Sequence, residues 1–431
     1  MSALLAIAAV TPQYLYAGNH YWDGKSGNIN ANSNWVMPPG KPSDSDQTAI
    51  WNFNTASVAP SLIDVNNLDL AGFHYSNNVT FSISANRDYE IYGFYDSGTA
   101  TTYAIWNDTA NTQTLTNTAT IKFLSTANPL TIETGSGRIV FNASLEFSNS
   151  SQTTVTGSGG VTMSKSVNIN GKNFTFSNSG TNTVSSSFNS ANLLTFDGGG
   201  TTTFNGDVTN TTSTTVSNFS VVHFNGVVNS NKLTIESGAK VYMGGNATHN
   251  SGIDLKCGTL LLKKSNVIGN YTINAMGGIF NLQGYSEGLQ GLTLTKNSTI
   301  DFGSASGANS LDFGNTGSFT SGAYLTILNW QSGDTLKIGN LGSTRAQQVL
   351  FYGDYGSGVG FYTAVYNNGS HILTPGSLST IDPGAINCVP VPVPEPSTYL
   401  MGGALMLALG AYEVQRRKRL NNQRQSLAHD C

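Results

Sequence analysis

The sequence predicts an all-β protein: a single-stranded parallel β-helix, or solenoid, of about 20 residues per coil, with β-rich caps and a C-terminal transmembrane helix. Three observations predict this fold: the amino-acid composition, two series of apolar residues that recur at a regular spacing, and an apolar segment near the C-terminus. Only 10% of the 431 residues are charged, which is atypical of long helices and coiled coils, whereas 48 glycines are typical of short strands joined by tight turns. The hydrophobic content of 39% provides a sizeable core.

The first series is a triplet that reads apolar–Thr–apolar and recurs through the middle of the chain. Alternation of this kind is typical of a half-buried strand, so we expect the central residues to point outward and form a ladder on stacked coils. The ladder consists of Thr131, Thr154, Thr175, Thr195, Thr215 and Thr234, and continues less clearly as Asp254, Thr272 and Thr293.

A second apolar series keeps the same period of roughly 20 residues. A coil of that length cannot bury its own apolar face and must stack on copies of itself, so we expect nine or ten coils in a rod of about 45 Å. A β-propeller is disfavoured because its repeats are about 40–50 residues long. The series is anchored by Phe141, Met163, Val184, Phe204, Phe224, Met243, Leu262, Leu282 and Phe302.

In chain order, residues 18–110 are expected to form an N-terminal β-rich cap with the first coils, 111–319 the β-helix repeats, and 320–388 a C-terminal β cap. The repeats resemble the β-strand repeats in passenger regions of autotransporters. Residues 1–17 are predicted to be a signal peptide, because an apolar run precedes Pro12 and a cleavage site of the A-x-A type ends at Ala17. The basic residues that usually begin such peptides are missing.

The C-terminus combines three features in order. A proline-rich spacer contains Pro394, Glu395 and Pro396, and an uncharged apolar stretch covers residues 399–412. A basic cluster follows, made of Arg416, Arg417, Lys418 and Arg419. Residues 389–420 therefore resemble the PEP-CTERM sorting signal of exported bacterial proteins, with residues 421–431 as a cytoplasmic tail.

The resemblance implies that a membrane-embedded exosortase recognises Pro394, Glu395 and Pro396 outside the membrane and removes the apolar span. The basic cluster acts as the membrane stop, because positive residues stay on the cytoplasmic side. The protein would thus be exported, membrane-anchored before processing, and then located at the cell surface or outside the cell. A permanent membrane anchor predicts the same topology.

No catalytic constellation, metal site or cofactor site is predicted, and we expect the protein not to be an enzyme. The histidines fit no metal-ligand spacing, and Cys257 is expected to be a core thiol. Asp197 and Glu236 lie two coils apart in one row, and nothing in the sequence places them in a cleft. The net charge of -4, with a basic cluster in the tail, leaves no basic face for nucleic acid.

The threonine ladder has a simple explanation, since threonine suits an exposed strand position. Its functional interpretation is a ligand surface for extracellular polysaccharide or for ice. Ice binding is disfavoured, because the adjacent row of Glu133, Thr156, Ser177, Asp197, Ser217 and Glu236 carries charges that hold their own hydration. The leading hypothesis is a structural or adhesive protein of the cell surface or extracellular matrix. The alternative is a polysaccharide-active β-helix enzyme, a lyase or hydrolase.

Overall fold

The computed structural model describes residues 19–21, 50–52, 68–70, 72–75, 82–85, 88–96, 99–124, 129–148, 151–304 and 308–383. These residues form an all-β parallel solenoid of about 11 turns with roughly 21 residues per coil. The predicted solenoid is therefore confirmed, and its period is slightly longer than the sequence suggested. The predicted signal peptide, sorting signal and transmembrane helix lie outside the described residues.

Each coil contributes parallel strands to three stacks, which we call A, B and C in the order in which a coil visits them. Strands within a stack pair in register from one coil to the next, as Thr195 pairs with Thr215 in stack A and Phe204 with Phe224 in stack B. No antiparallel hairpin interrupts the described residues between 190 and 240. Parallel strands need a connection that brings the chain back to the end at which the first strand began. In this solenoid the rest of the coil is that connection.

Stack A carries the threonine ladder. Its strands are Asn19–Tyr21, Ile50–Asn52, Gly72–Tyr75, Thr101–Asn107, Leu130–Glu133, Gln152–Thr156, Asn173–Phe176, Lys232–Glu236, Ile253–Lys256 and Thr272–Met276. Four longer strands begin in stack C and end in stack A: Phe188–Phe196, Val208–Val216, Glu287–Lys296 and Ser310–Phe319.

Stack B carries the second apolar series. Its strands are Ser82–Ala85, Val161–Met163, Thr181–Val184, Thr201–Phe204, Val221–Phe224, Lys240–Met243, Thr259–Leu262, Ile279–Asn281, Ser298–Asp301, Leu325–Leu328 and Val349–Asp354. Two strands begin in stack B and end in stack C: Gln113–Phe123 and Ile139–Phe147.

Stack C is built from the shortest strands. Its remaining members are Leu68–Leu70, Tyr89–Ile91, Val167–Asn168, Val228–Asn229, Ala247–Thr248 and Thr335–Ile338. The strands that begin at Val167, Val228 and Ala247 have only two residues each, which is too few for alternation to mark a third strand in the sequence.

The core runs between the stacks as one continuous apolar column. All nine predicted anchors of the second series are at most 1% exposed, from Phe141 through Phe302. Aromatic rings from successive coils lie parallel inside the column, as for Phe176 on Phe196 and Phe204 on Phe224, with ring centroids 5.3 and 5.5 Å apart. These aromatic side chains bury a large apolar area between one coil and the next, and this burial stabilises the stack of coils.

A column of glycines allows the coils to approach closely at the corner between stacks A and B. A Cβ atom on Gly159 would lie 1.6 Å from the carbonyl oxygen of Gly137, and one on Gly180 would lie 2.0 Å from the carbonyl oxygen of Gly159. Gly200 faces Gly180 in the same way at 2.4 Å. No side chain fits at these positions, so glycine is required on several consecutive coils.

The solenoid extends further toward the C-terminus than the predicted boundary at residue 319. Parallel pairing continues through Leu325–Leu328, Thr335–Ile338 and Val349–Asp354. The antiparallel strands Val359–Asn367 and Ile372–Leu378 then cover the last coil. One short helix, Gly342–Ala346, precedes them. Antiparallel strands of this type block the open edge that the final coil would otherwise expose.

Candidate ligand surface

The predicted threonine ladder lies on the outer side of stack A with its members on consecutive coils. Register pairs join Thr131 to Thr154, Thr154 to Thr175, and Thr175 to Thr195. The series continues to Thr215 and Thr234 without a break. Neighbouring members are therefore spaced by about 4.8 Å, the distance between hydrogen-bonded strands. We call these six residues the threonine row.

Two members of the threonine row are buried, contrary to the expectation that all six are exposed. Thr175 is 8% exposed and Thr234 is 9% exposed. The Gln152 amide donates to the hydroxyl oxygen of Thr175 at 3.3 Å and lies over it. Lys232, on the same strand as Thr234, reaches across the row to Asp254. Long polar side chains from the flanking position thus shield parts of the row, an effect that strand alternation does not reveal.

The expected continuation of the row through Thr272 is wrong by two residues. Ile253 pairs with Ile273 and Asp254 with Asn274, so Asn274 occupies the row and Thr272 lies outside it. The apolar–Thr–apolar pattern is lost in this coil, because Asn274 rather than a threonine stands between Ile273 and Ala275. The row therefore runs from the six threonines into Asp254, Asn274 and then Thr293.

Asp254 is the centre of a charged cluster within the row. Its side chain is 3% exposed, and the Nζ atoms of Lys232 and Lys256 lie 2.8 and 3.9 Å from its Oδ2. The Asn274 amide donates to Oδ1 at 2.7 Å. These contacts satisfy a carboxylate that would be costly to bury alone, and the two lysines remain about half exposed. We call Lys232, Asp254 and Lys256 the lysine cluster.

The adjacent outer row satisfies much of its own hydrogen bonding. The hydroxyl of Thr156 donates to Glu133, which also accepts from the backbone of Gly135. Ser177 donates to Asp197 on the next coil, and Ser217 is only 8% exposed. Groups that bond to each other along the solenoid have less capacity for a ligand, so the threonine row carries the candidate surface.

Glu287 and His249 are also buried, and each side chain has a backbone partner. Glu287 is 3% exposed and accepts backbone N–H bonds from Val267 and Ile268, where stack C has no strand. Burial raises the pKa of Glu287 even though those bonds lower it. Burial lowers the pKa of His249 to about 4, and its Nδ1 lies 3.2 Å from the Ser230 carbonyl oxygen. Both environments are structural.

Stack B also has outer side chains that sequence reasoning did not single out. The rings of His223 and Tyr242 stack with centroids 4.4 Å apart, and the Lys263 ammonium lies 5.7 Å from the Tyr242 centroid. Burial lowers the pKa of His223, with a further contribution from Lys263. The alternation of side chains along each strand predicts that both rings lie outside. Their contact, however, depends on the register between adjacent coils, in which His223 pairs with Tyr242. Across the described residues, no group of three or more His, Cys, Asp or Glu could hold a metal ion.

Cys257 is disulfide-bonded, so its interpretation as a core thiol is wrong. Its side chain is half-buried at the corner between stacks A and B. Three scattered cysteines gave no pattern from which a pair could be predicted.

The predicted sorting residues Pro394, Glu395 and Pro396 and the basic membrane stop lie outside the described residues, and their roles stay predictions. No helix in the described ranges is long and apolar enough to cross a membrane. No family model, curated protein or solved structure matches this chain.

Proposed function

We propose that the chain is an exported structural or adhesive protein of the cell surface or extracellular matrix, which binds extracellular polysaccharide on the outer side of stack A. The observation that carries this proposal is the threonine row, held in register on six consecutive coils. A polysaccharide is a repeating chain of hydroxyl groups, and threonine hydroxyls both donate and accept hydrogen bonds. A repeating surface on a rigid solenoid suits a repeating ligand.

Export is supported by two independent features. The ends of the sequence resemble a signal peptide and a PEP-CTERM signal, which is the basis for proposing an exosortase as processing partner. The disulfide at Cys257 supports a location outside the reducing cytoplasm. The processed protein would then remain at the surface or in the matrix without its apolar span.

An enzyme acting on polysaccharide is the second candidate, and the lysine cluster favours it. Exposed ammonium groups beside a buried carboxylate could bind and polarise an acidic sugar. The cluster lies on the open outer side of strands, however, and does not line the groove that the described residues form elsewhere. Ice binding is a weaker alternative, since Thr175 and Thr234 are buried and the adjacent row is charged.

The test is a glycan-binding and glycan-degradation screen on residues 18–388. Thr195→Val with Thr215→Val removes two central hydroxyls and keeps the β-branched shape that strands favour. The matched control is Thr183→Val with Thr203→Val, an in-register pair on the outer side of stack B. We expect the first variant to lose affinity at least about tenfold while the control binds normally.

The screen distinguishes a protein that only binds polysaccharide from an enzyme that degrades it. Release of shortened or unsaturated glycan products by the wild-type protein, abolished by Lys232→Ala, would establish the enzyme instead. Equal binding by both double variants would contradict the threonine row as the ligand surface.

A further inference from the structure

Three lysines on neighbouring coils are exposed and have no acidic partner. Lys240, Lys263 and Lys264 form no ion pair within the described ranges. Elsewhere in the solenoid, the Nζ atoms of Lys122 and Lys337 lie 3.2 and 2.8 Å from a carboxylate oxygen. Unpaired ammonium groups on a chain of net charge -4 create a local positive potential that paired groups do not.

The carboxylates of the same coils belong to a different stack. Residues 221–264 contain two acidic residues, Glu236 and Asp254, and both lie on strands of stack A. The lysine cluster already pairs with the Asp254 carboxylate. On the preceding coil, Asp207 accepts from the backbone N–H of Val227, at the corner toward stack C. The outer side of stack B is therefore positive over these coils.

The ammonium group of Lys263 is held in place over an aromatic ring. Its Nζ lies 5.7 Å from the centroid of Tyr242 and donates to Oδ1 of Asn225 at 3.1 Å. The ring of His223 stacks on the same Tyr242 ring, with centroids 4.4 Å apart. An ammonium group has three N–H donors, so the bond to Asn225 leaves two for a ligand. A cation fixed in this way loses less side-chain entropy on binding than a freely rotating lysine does.

Lys240 lies on the same outer side as Tyr242. The strand Lys240–Met243 alternates between outward and fully buried residues, and Lys240 and Tyr242 are the two outward ones, about 7 Å apart along the strand. Tyr242 pairs with Leu261, so Lys263 begins on the opposite side of Tyr242, two residues further along the next coil. We call Lys240, Tyr242 and Lys263 the stack B patch.

We propose that the stack B patch binds the acidic groups of an anionic polysaccharide, such as the carboxylates of a polyuronate. Two ammonium groups and a phenol hydroxyl can all donate to a carboxylate, and charge-assisted hydrogen bonds are roughly twice as strong as neutral ones. Nucleic acid is a poorer match, because its closely spaced phosphates require many Lys and Arg side chains. That the anion belongs to a polysaccharide rests on the proposed function, whereas anion binding at the patch does not.

The test measures the affinity of the full chain, in mild detergent and at low salt, for polygalacturonate. Its highly methyl-esterified form is the matched ligand, since esterification removes the charge and keeps the sugar backbone. Lys240→Gln with Lys263→Gln should weaken polygalacturonate binding at least about tenfold and leave binding of the ester unchanged.

The matched control is Lys172→Gln with Lys296→Gln, which removes the same charge from lysines that also form no ion pair within the described ranges. This control should bind polygalacturonate as the wild type does. The basic cluster of the tail is present in every variant, so it cannot cause a difference between them.

The proposal is overturned if the two double variants bind polygalacturonate equally, or if the wild type binds polygalacturonate no more tightly than its ester. Tighter binding of single-stranded DNA than of polygalacturonate would overturn it in favour of a nucleic acid. Thr195→Val with Thr215→Val retains both lysines of the patch, so a failure of the threonine row would leave these results unchanged.

A second measurement reports on the patch directly. Burial lowers the pKa of His223, and the nearby Lys263 ammonium lowers it further. A carboxylate bound at Lys263 offsets that repulsion, so trigalacturonate should raise the pKa of His223. His249 is the internal control, because it is fully buried at the corner between stacks C and A. Titration of carbon-13-labelled histidines by NMR measures both, and an unchanged pKa of His223 at saturating trigalacturonate would contradict binding at Lys263.

Discussion

Single residues at the corner between stacks A and B determine how closely the coils approach. Gly180→Ala would place a Cβ atom 2.0 Å from the carbonyl oxygen of Gly159, so we expect it to lower the free energy of unfolding by more than about 2 kcal/mol. Gly288→Ala is the matched control, since no atom lies within 4 Å of its added Cβ. Urea unfolding of both variants measures the difference. Equal free energies of unfolding for Gly180→Ala and Gly288→Ala would show that the coils are not closely packed at Gly180.

Buried His249 predicts a pH dependence of stability. Burial lowers its folded pKa from 6.5 to about 4, so the unfolded chain binds the proton more readily. Stability due to the neutral ring is full above pH 6.5 and is lost as the pH falls toward 4, by about 3 kcal/mol in total. Glu287 changes stability in the opposite direction because its pKa is raised.

The comparison of wild type with His249→Gln isolates the histidine, since Glu287 is present in both. Urea unfolding between pH 7 and pH 4 should show the wild type losing about 3 kcal/mol more than the variant. Parallel loss in the two proteins would mean that His249 is accessible to solvent when folded.

A coil is the element from which the molecule is built, and it can be removed as a unit. Deletion of residues 201–220 joins Gly200 to Val221, which pairs in register with Thr201, so every later strand keeps its stack. We expect a folded protein whose urea m-value is lower by roughly a tenth, in proportion to the surface lost.

Deletion of half a coil is the control for this experiment. Removing residues 201–210 places stack B strands opposite stack A strands and turns apolar residues outward. Circular dichroism and urea unfolding should show no cooperative transition. If the half-coil deletion folds as well as the full-coil deletion, the register of the three stacks is not what stabilises the chain.

The sequence predicted the elements that depend on a repeated apolar residue. The anchors in stack B, such as Phe204 and Phe224, each repeat a large side chain at one position, and all are buried. Features that depend on contacts between coils could not be predicted in this way. The burial of Thr175 under Gln152 requires the conformation of a long side chain, and the disulfide at Cys257 requires the three-dimensional path of the chain.

At the scale of the whole molecule, export and sorting are proposed from residues 389–420 of the sequence. The Pro394-Glu395-Pro396 motif is expected to be read by an exosortase, and the apolar span is expected to leave with the basic cluster. Replacement of the three residues by alanine should leave membrane insertion intact and block release. The full-length protein should then accumulate in membranes of the native host, as measured by fractionation.

The most direct test of export and sorting is the C-terminal mass of the mature protein, purified from the cell surface or matrix of its native host. The account predicts surface material that retains Cys388 and has lost residues 399–431. Surface material that still carries Arg416, Arg417, Lys418 and Arg419 in a host with an active exosortase would contradict the sorting proposal. It would leave a permanently anchored solenoid in its place.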